Sequence, residues 1–205
     1  MAKEEVEEAV VVGAGFVGLE TAENLVHCGV KVTVVEMTSL VLPGYDEEMA
    51  LYVQNYLREK GLEIRTGVCV SEFSGDLSGK VAGAKLSDGS FIPAQLVVWA
   101  GGVRPNVDLA VKAGITLGPT GAIAVDNYQK TNVDNIFAVG DCSENVNLIT
   151  GETAWYPMGS TANKTGRVVG LNLDREQKAG YLPGVLGTSV IKLFSLNAAR
   201  TGLTE

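Results

Sequence analysis

Three glycines and one acid carry the most legible chemistry in this chain. Gly13-Ala14-Gly15-Phe16-Val17-Gly18 has the Gly-x-Gly-x-x-Gly spacing. Gly13 would permit a tight strand-to-helix turn. Gly15 would let the backbone approach a pyrophosphate with no side chain in the way, and Gly18 would let helix and strand pack closely. The free N–H groups and the positive end of the helix dipole then hold the negative charge. Glu36 follows about 20 residues on, where such a fingerprint places an acid. Its carboxylate would accept hydrogen bonds from the adenine ribose hydroxyls and repel a 2′-phosphate. That selects NAD(H) over NADP(H). The competing reading is an ordinary glycine turn and a surface glutamate, so the flanking elements must decide.

Those elements fit. Glu8 to Gly13 reads as a buried strand through the apolar run Ala9-Val10-Val11-Val12. Phe16 to Cys28 reads as a helix with Val17, Thr21, Leu25 and Cys28 at helical spacing, stopped by Gly29. Lys31 to Glu36 is a second strand, rich in β-branched residues. Strand, helix and strand with short connections make a right-handed parallel βαβ unit. Asp46 can N-cap a helix running to about Lys60, with Met49, Val53, Tyr56 and Leu57 on one face and Gly61 at its end. Lys80 to Ser87, the Asp88-Gly89 turn and Ser90 to Pro93 predict a hairpin. Ala94 to Ala100 is an apolar strand leading into Gly101-Gly102. After Pro119 two further strands are predicted, Gly121 to Val125 and Asn135 to Val139. A helix from Thr161 to about Lys178, a loop from Tyr181 to Gly187 and a strand from Thr188 to Phe194 complete the chain. A domain boundary is expected near Leu117 to Gly121.

Composition narrows the partners. In 205 residues, 24 acids outnumber 16 bases for a net charge of −8, which disfavours nucleic acid and anionic membrane surfaces. No apolar run approaches a membrane span. The acidic start, Met1 to Glu8, has no apolar signal core, so secretion is not expected. Cys28, Cys69 and Cys142 are scattered and unpaired by spacing, which suits a reducing, cytoplasmic setting and excludes a structural zinc site. Cys28 and Cys69 read as small buried hydrophobes, and His27 as a partner of its helix's C-terminal dipole. From physics alone Glu20 is as readily an exposed helix glutamate as a site residue.

Three later segments add a family resemblance: Ala100-Gly101-Gly102-Val103-Arg104-Pro105-Asn106, then Thr131-Asn132-Val133-Asp134-Asn135-Ile136-Phe137-Ala138-Val139-Gly140-Asp141-Cys142, and Ala162-Asn163-Lys164-Thr165-Gly166-Arg167. With the glycine loop, and in this order, they resemble the FAD-dependent pyridine nucleotide–disulfide oxidoreductases. The branch containing coenzyme A-disulfide reductases and NADH oxidases or peroxidases is the most similar, also through Leu186 to Phe194 and Ala199 to Leu203. The resemblance implies an α/β chain in two parts. Residues 1–122 would be a Rossmann-like NAD(H)-binding domain, a parallel sheet with an added antiparallel β-meander. Residues 123–205 would be the second segment of a split FAD-binding domain. Cofactor contacts would fall on Gly13, Gly15, Phe16, Val17, Gly18, Glu20, Glu36 and Gly102 for the dinucleotide, with Glu20 near the flavin–nicotinamide face, and on Asp141 for an FAD ribitol hydroxyl. None of these is a catalytic residue in the strict sense.

The resemblance has gaps. The chain carries one nucleotide fingerprint, whereas the family has two, and its redox cysteine and dimerisation domain have no counterpart. The expectation is a fragment: it binds a nicotinamide dinucleotide, does not retain FAD, is inactive without its missing FAD-domain segment, and self-associates. The alternative is a non-catalytic module for NAD or an adenine nucleotide, and a third reading is a ferredoxin- or rubredoxin-reductase-like flavoprotein.

Overall fold

The computed structural model describes residues 6–173 and 180–205. Two compact units divide the chain. One comprises the residues up to Gly102 with Val190–Ala199 and Thr204–Glu205, the other Val103–Ser189 with Arg200–Leu203. The division falls upstream of the 122/123 boundary expected from sequence, and most of a C-terminal hairpin joins the first unit.

In the first unit the order is β1 (Glu8–Val12), α1 (Phe16–His27), β2 (Lys31–Glu36), α2 (Glu47–Glu59), β3 (Glu63–Thr66), β4 (Val70–Gly75), β5 (Val81–Leu86), β6 (Phe91–Pro93) and β7 (Leu96–Trp99). Four strands form a parallel sheet in the order β3-β2-β1-β7, with Val11 opposite both Val34 and Val98. The continuous valine runs follow from burial on both faces. One face packs Val11, Val32 and Val34 against Leu19, Ala22 and Leu57. The other packs Val10, Val12 and Val35 against Ala84, Leu86 and Ala94. The latter belong to or adjoin an antiparallel sheet, β4-β5-β6, whose β5–β6 hairpin turns at Asp88-Gly89 as the sequence predicts. The Ser90 hydroxyl and backbone N–H, then Arg65, hold the Asp88 carboxyl below the usual carboxylate range.

In the second unit a short helix α3 (Asp108–Lys112) precedes a 3₁₀ turn at Gly140–Cys142. A two-residue ladder of β8 (Asn145–Val146) and β9 (Thr153–Ala154) follows, then α4 (Gly159–Asn172). The strands predicted at 121–125 and 135–139 are corrected to isolated bridges, Leu117–Ile123, Ile123–Ser143 and Lys130–Phe137. Some of their backbone groups close local turns, as Gly121 N–H does on Gly118 and Thr131 N–H on Ile136, while Ile123 N–H bonds the Cys142 carbonyl. The predicted helical stretch at 174–178 lies outside the described residues. The C-terminal hairpin is β10 (Ser189–Leu193) and β11 (Leu196–Arg200), and its Ile191, Leu193 and Ala198 complete the first unit's larger core.

Burial and capping depart from the sequence pattern in several places. α1 buries Gly18, Leu19 and Ala22, and Val17 is 64% exposed. α2 buries Ala50, Val53, Gln54 and Leu57, and Met49 turns outward. Asp46 stands at the N-cap of α2 without a side-chain capping bond, and its carboxylate accepts the Glu205 N–H at 2.9 Å. Cys28 and Cys69 are exposed, the first as the C-cap of α1 and the second in the connection before β4. His27 packs edge-on against Phe194, ring centroids 5.3 Å apart. No helix among the described residues is long and apolar enough to cross a membrane.

Candidate functional site

The chain leaves β1 toward β2 and β3 on one side, then returns to place β7 on the other side of β1. Such a reversal opens a crevice at the carboxyl ends of the strands, where ligands of open α/β sheets bind. The glycine loop fills one side of that crevice and Gly101-Gly102 the other.

The three loop glycines do different work. Gly13 has φ +102°, donates its N–H to the Val35 carbonyl at 2.8 Å, and lies so close to β7 that a Cβ would strike the Ala100 carbonyl. A Cβ on Gly18 would strike the Gly13 carbonyl. These two glycines clamp β1, the start of α1 and the end of β7 together. Gly15 is the N-cap of α1 at φ −79° and ψ −172°, an extended conformation open to any residue. A Cβ there would meet nothing within 4 Å. The fold does not require glycine at position 15, and the space above it belongs to a cavity of about 410 Å³. No acid stands in the first turn of α1 to compete for its free N–H groups.

Glu36 ends β2 against this loop and is only 6% exposed. Its Oε2 accepts the Ala14 N–H at 2.7 Å, and its Oε1 accepts the Thr38 N–H at 2.9 Å and the Thr38 hydroxyl at 3.1 Å. A carboxylate offers roughly four acceptor positions, so three donors leave room for another. The Thr38 hydroxyl has only one proton, and the Leu40 carbonyl at 2.8 Å is its alternative acceptor. Turning there would free a second position on Glu36.

The cavity brings together Gly13, Gly15, Glu36 and Gly102 of the sequence-based candidates, Gly102 with φ +111°. Phe16, Val17, Gly18 and Glu20 do not line it. Phe16 packs edge-on to Tyr45 and Glu20 is exposed on α1. Asp141 is in the other unit, exposed on the 3₁₀ turn; its carbonyl accepts the Trp155 indole N–H at 2.8 Å. Gly140 beside it has φ +75° and donates its N–H to the Thr165 hydroxyl at 3.0 Å. Sequence reasoning missed Met37, Thr38, Val68, Cys69 and Trp99, which complete the cavity wall. Trp99 is 64% exposed and stands edge-on to Phe73. Its place directly before Ala100-Gly101 was the one available signal. Among the described residues no cluster of three or more His, Cys, Asp or Glu could hold a metal.

Comparisons with known proteins place this geometry. The family model described as pyridine nucleotide-disulphide oxidoreductase matches residues 1–157. An NAD(P)H sulfur oxidoreductase (CoA-dependent) of Pyrococcus furiosus is 38% identical over the whole chain, which spans 45% of that protein. An NADH oxidase of Methanocaldococcus jannaschii is 41% identical over 95% of the chain and 42% of its own length. The chain thus spans less than half the length of these relatives. Among solved structures, an NAD-dependent persulfide reductase from A. fulgidus superposes with a TM-score of 0.92 at 44% identity, over 97% of this chain and 36% of that one. A water-forming NADH oxidase from Lactobacillus brevis, solved with NADH bound, gives 0.89 at 28% identity, over 98% and 43%.

Proposed function

The chain belongs to the pyridine nucleotide-disulphide oxidoreductase family, and we propose that its role there is to bind NADH in the crevice between the glycine loop and Gly102. One observation carries the reading: Gly15 is the loop glycine the fold does not need, and the space it leaves open adjoins a buried carboxylate hydrogen-bonded to the same loop. The N–H groups at the start of α1 would hold the pyrophosphate. Glu36 would accept the adenosine ribose hydroxyls, helped by rotation of Thr38. When bound, NADH supplies a hydride from its nicotinamide ring, which in this reading passes to a flavin. Trp99, Val68 and Val70 give the cavity an apolar wall.

NADH should bind about 30-fold more tightly than NADPH, because a 2′-phosphate against the buried Glu36 carboxylate costs about 2 kcal/mol. Calorimetric titration of both nucleotides checks this, and equal affinity would remove Glu36 from the ribose site. Cys69 tests the location of the site. It is exposed and lines the cavity, whereas Cys28 is exposed away from it. NADH at ten times its Kd should slow iodoacetamide labelling of Cys69 about tenfold by mass action and leave Cys28 unchanged. Mass mapping of the labelled peptides distinguishes the two thiols.

Asp141 is the candidate contact of this chain with FAD, accepting a ribitol hydroxyl at its exposed turn. The residues here fit that cofactor only in part, since the single glycine loop is assigned to NADH. One hydrogen bond to a charged group contributes about 1.5–3 kcal/mol, against an association cost of about 4–15 kcal/mol. The purified chain should therefore be colourless after gel filtration with micromolar FAD. A yellow sample with stoichiometric flavin would show that the second unit binds it unaided. The same elution volume reports whether the chain self-associates.

A further inference from the structure

We propose that the second unit holds a binding site for a guanidinium group, in a cavity of about 220 Å³ lined by Gln129, Glu144 and Asn145. Glu144 is 5% exposed, and its Oε1 accepts the Thr120 N–H at 2.8 Å and the Thr120 hydroxyl at 2.6 Å. A Cβ at Gly118 would collide with this carboxylate, so the bare backbone there makes room for it. The two ion pairs among the described residues, Lys31–Glu8 and Arg65–Asp88, do not include it.

Its neighbours carry unpaired polar atoms. Gln129 is 2% exposed and its Oε1 has no hydrogen bond; Asn145 is nearly as buried and neither of its amide atoms has one. Asp126 adds a second carboxylate to the lining, turned partly toward the N–H groups of Tyr128 and Lys130. Among the described residues no lysine, arginine or histidine lines the cavity. The arrangement is rich in acceptors and negative in charge, and its one orphaned donor is the Asn145 amide N–H₂. A guanidinium is planar and cationic and carries five N–H donors and no acceptor, which matches it. A phosphate would be repelled, so this cavity is distinct in chemistry from the dinucleotide crevice.

The test uses the ¹⁵N-labelled chain and the side-chain amide signals of Gln129 and Asn145. Agmatine should shift both signals with submillimolar affinity, and uncharged butylurea should bind at least about tenfold more weakly. Glu144→Gln, which can keep the Thr120 hydrogen bonds, should weaken agmatine at least about tenfold. Asn145→Leu should weaken it too while the chain stays folded, which guards against a folding defect in the first variant. The tripeptide acetyl-Gly-Arg-Gly-amide identifies the source: tighter binding than agmatine marks a polypeptide's arginine, weaker binding a free small cation, and both support the site. No shift up to about 10 mM agmatine, equal binding of butylurea, unchanged affinity in Glu144→Gln, or equal Glu144-dependent binding of potassium would each overturn it.

Discussion

Gly15→Val should leave the chain folded and remove its NADH binding. The backbone at Gly15 has an extended conformation that valine adopts without strain, and its Cβ would point into open space. The apolar core is untouched, so the midpoint of thermal unfolding should move by no more than about 2 °C, the equivalent of less than 1 kcal/mol. The new methyl groups would stand where the pyrophosphate must approach the start of α1. Excluding a charged ligand by side-chain bulk costs about 3 kcal/mol, a loss of at least roughly 100-fold in affinity. Calorimetry and a thermal melt on one sample measure both effects. Native affinity in this variant would place the pyrophosphate elsewhere.

Two residues earlier, a smaller change should do the opposite. Gly13→Ala adds one methyl group at φ +102°, outside the region favoured by residues with a side chain, and drives it into the Ala100 carbonyl. Backbone strain of about 1–2 kcal/mol adds to overpacking of about 1–3 kcal/mol. A loss near 3 kcal/mol should lower the melting midpoint by about 6–12 °C for a chain of this size. Differential scanning calorimetry without nucleotide tests this. A midpoint unchanged within about 2 °C would mean that β1 and β7 can separate freely at the loop. Together the two variants separate a glycine kept for the ligand from one kept for the fold, within a single motif.

The sequence alone determined the parts of this protein that depend on neighbouring residues. The βαβ unit from Glu8 to Glu36, the turn at Gly13, the hairpin around Asp88-Gly89 and the pairing of a glycine loop with Glu36 are all legible there. Each is set by local backbone conformation, strand propensity or one short crossover. Which residues α1 buries was not legible from spacing: Gly18, Leu19 and Ala22 are buried and Val17 is exposed, because burial depends on what the helix packs against. The strands expected after Pro119 did not form for a related reason. A strand needs a continuous neighbour, and these segments pair only at single bridges, with other backbone groups closing local turns. The rest of the cavity wall was decided by tertiary structure. Met37 and Thr38 follow β2, Cys69 precedes β4 and Trp99 ends β7, and only the order β3-β2-β1-β7 with the antiparallel sheet above it brings them to one place. The same holds for Gln129, Glu144 and Asn145, whose side chains are ordinary in sequence. Their chemistry comes from shared burial, which deprives them of water together, and burial is a property of the packed chain that local spacing does not encode.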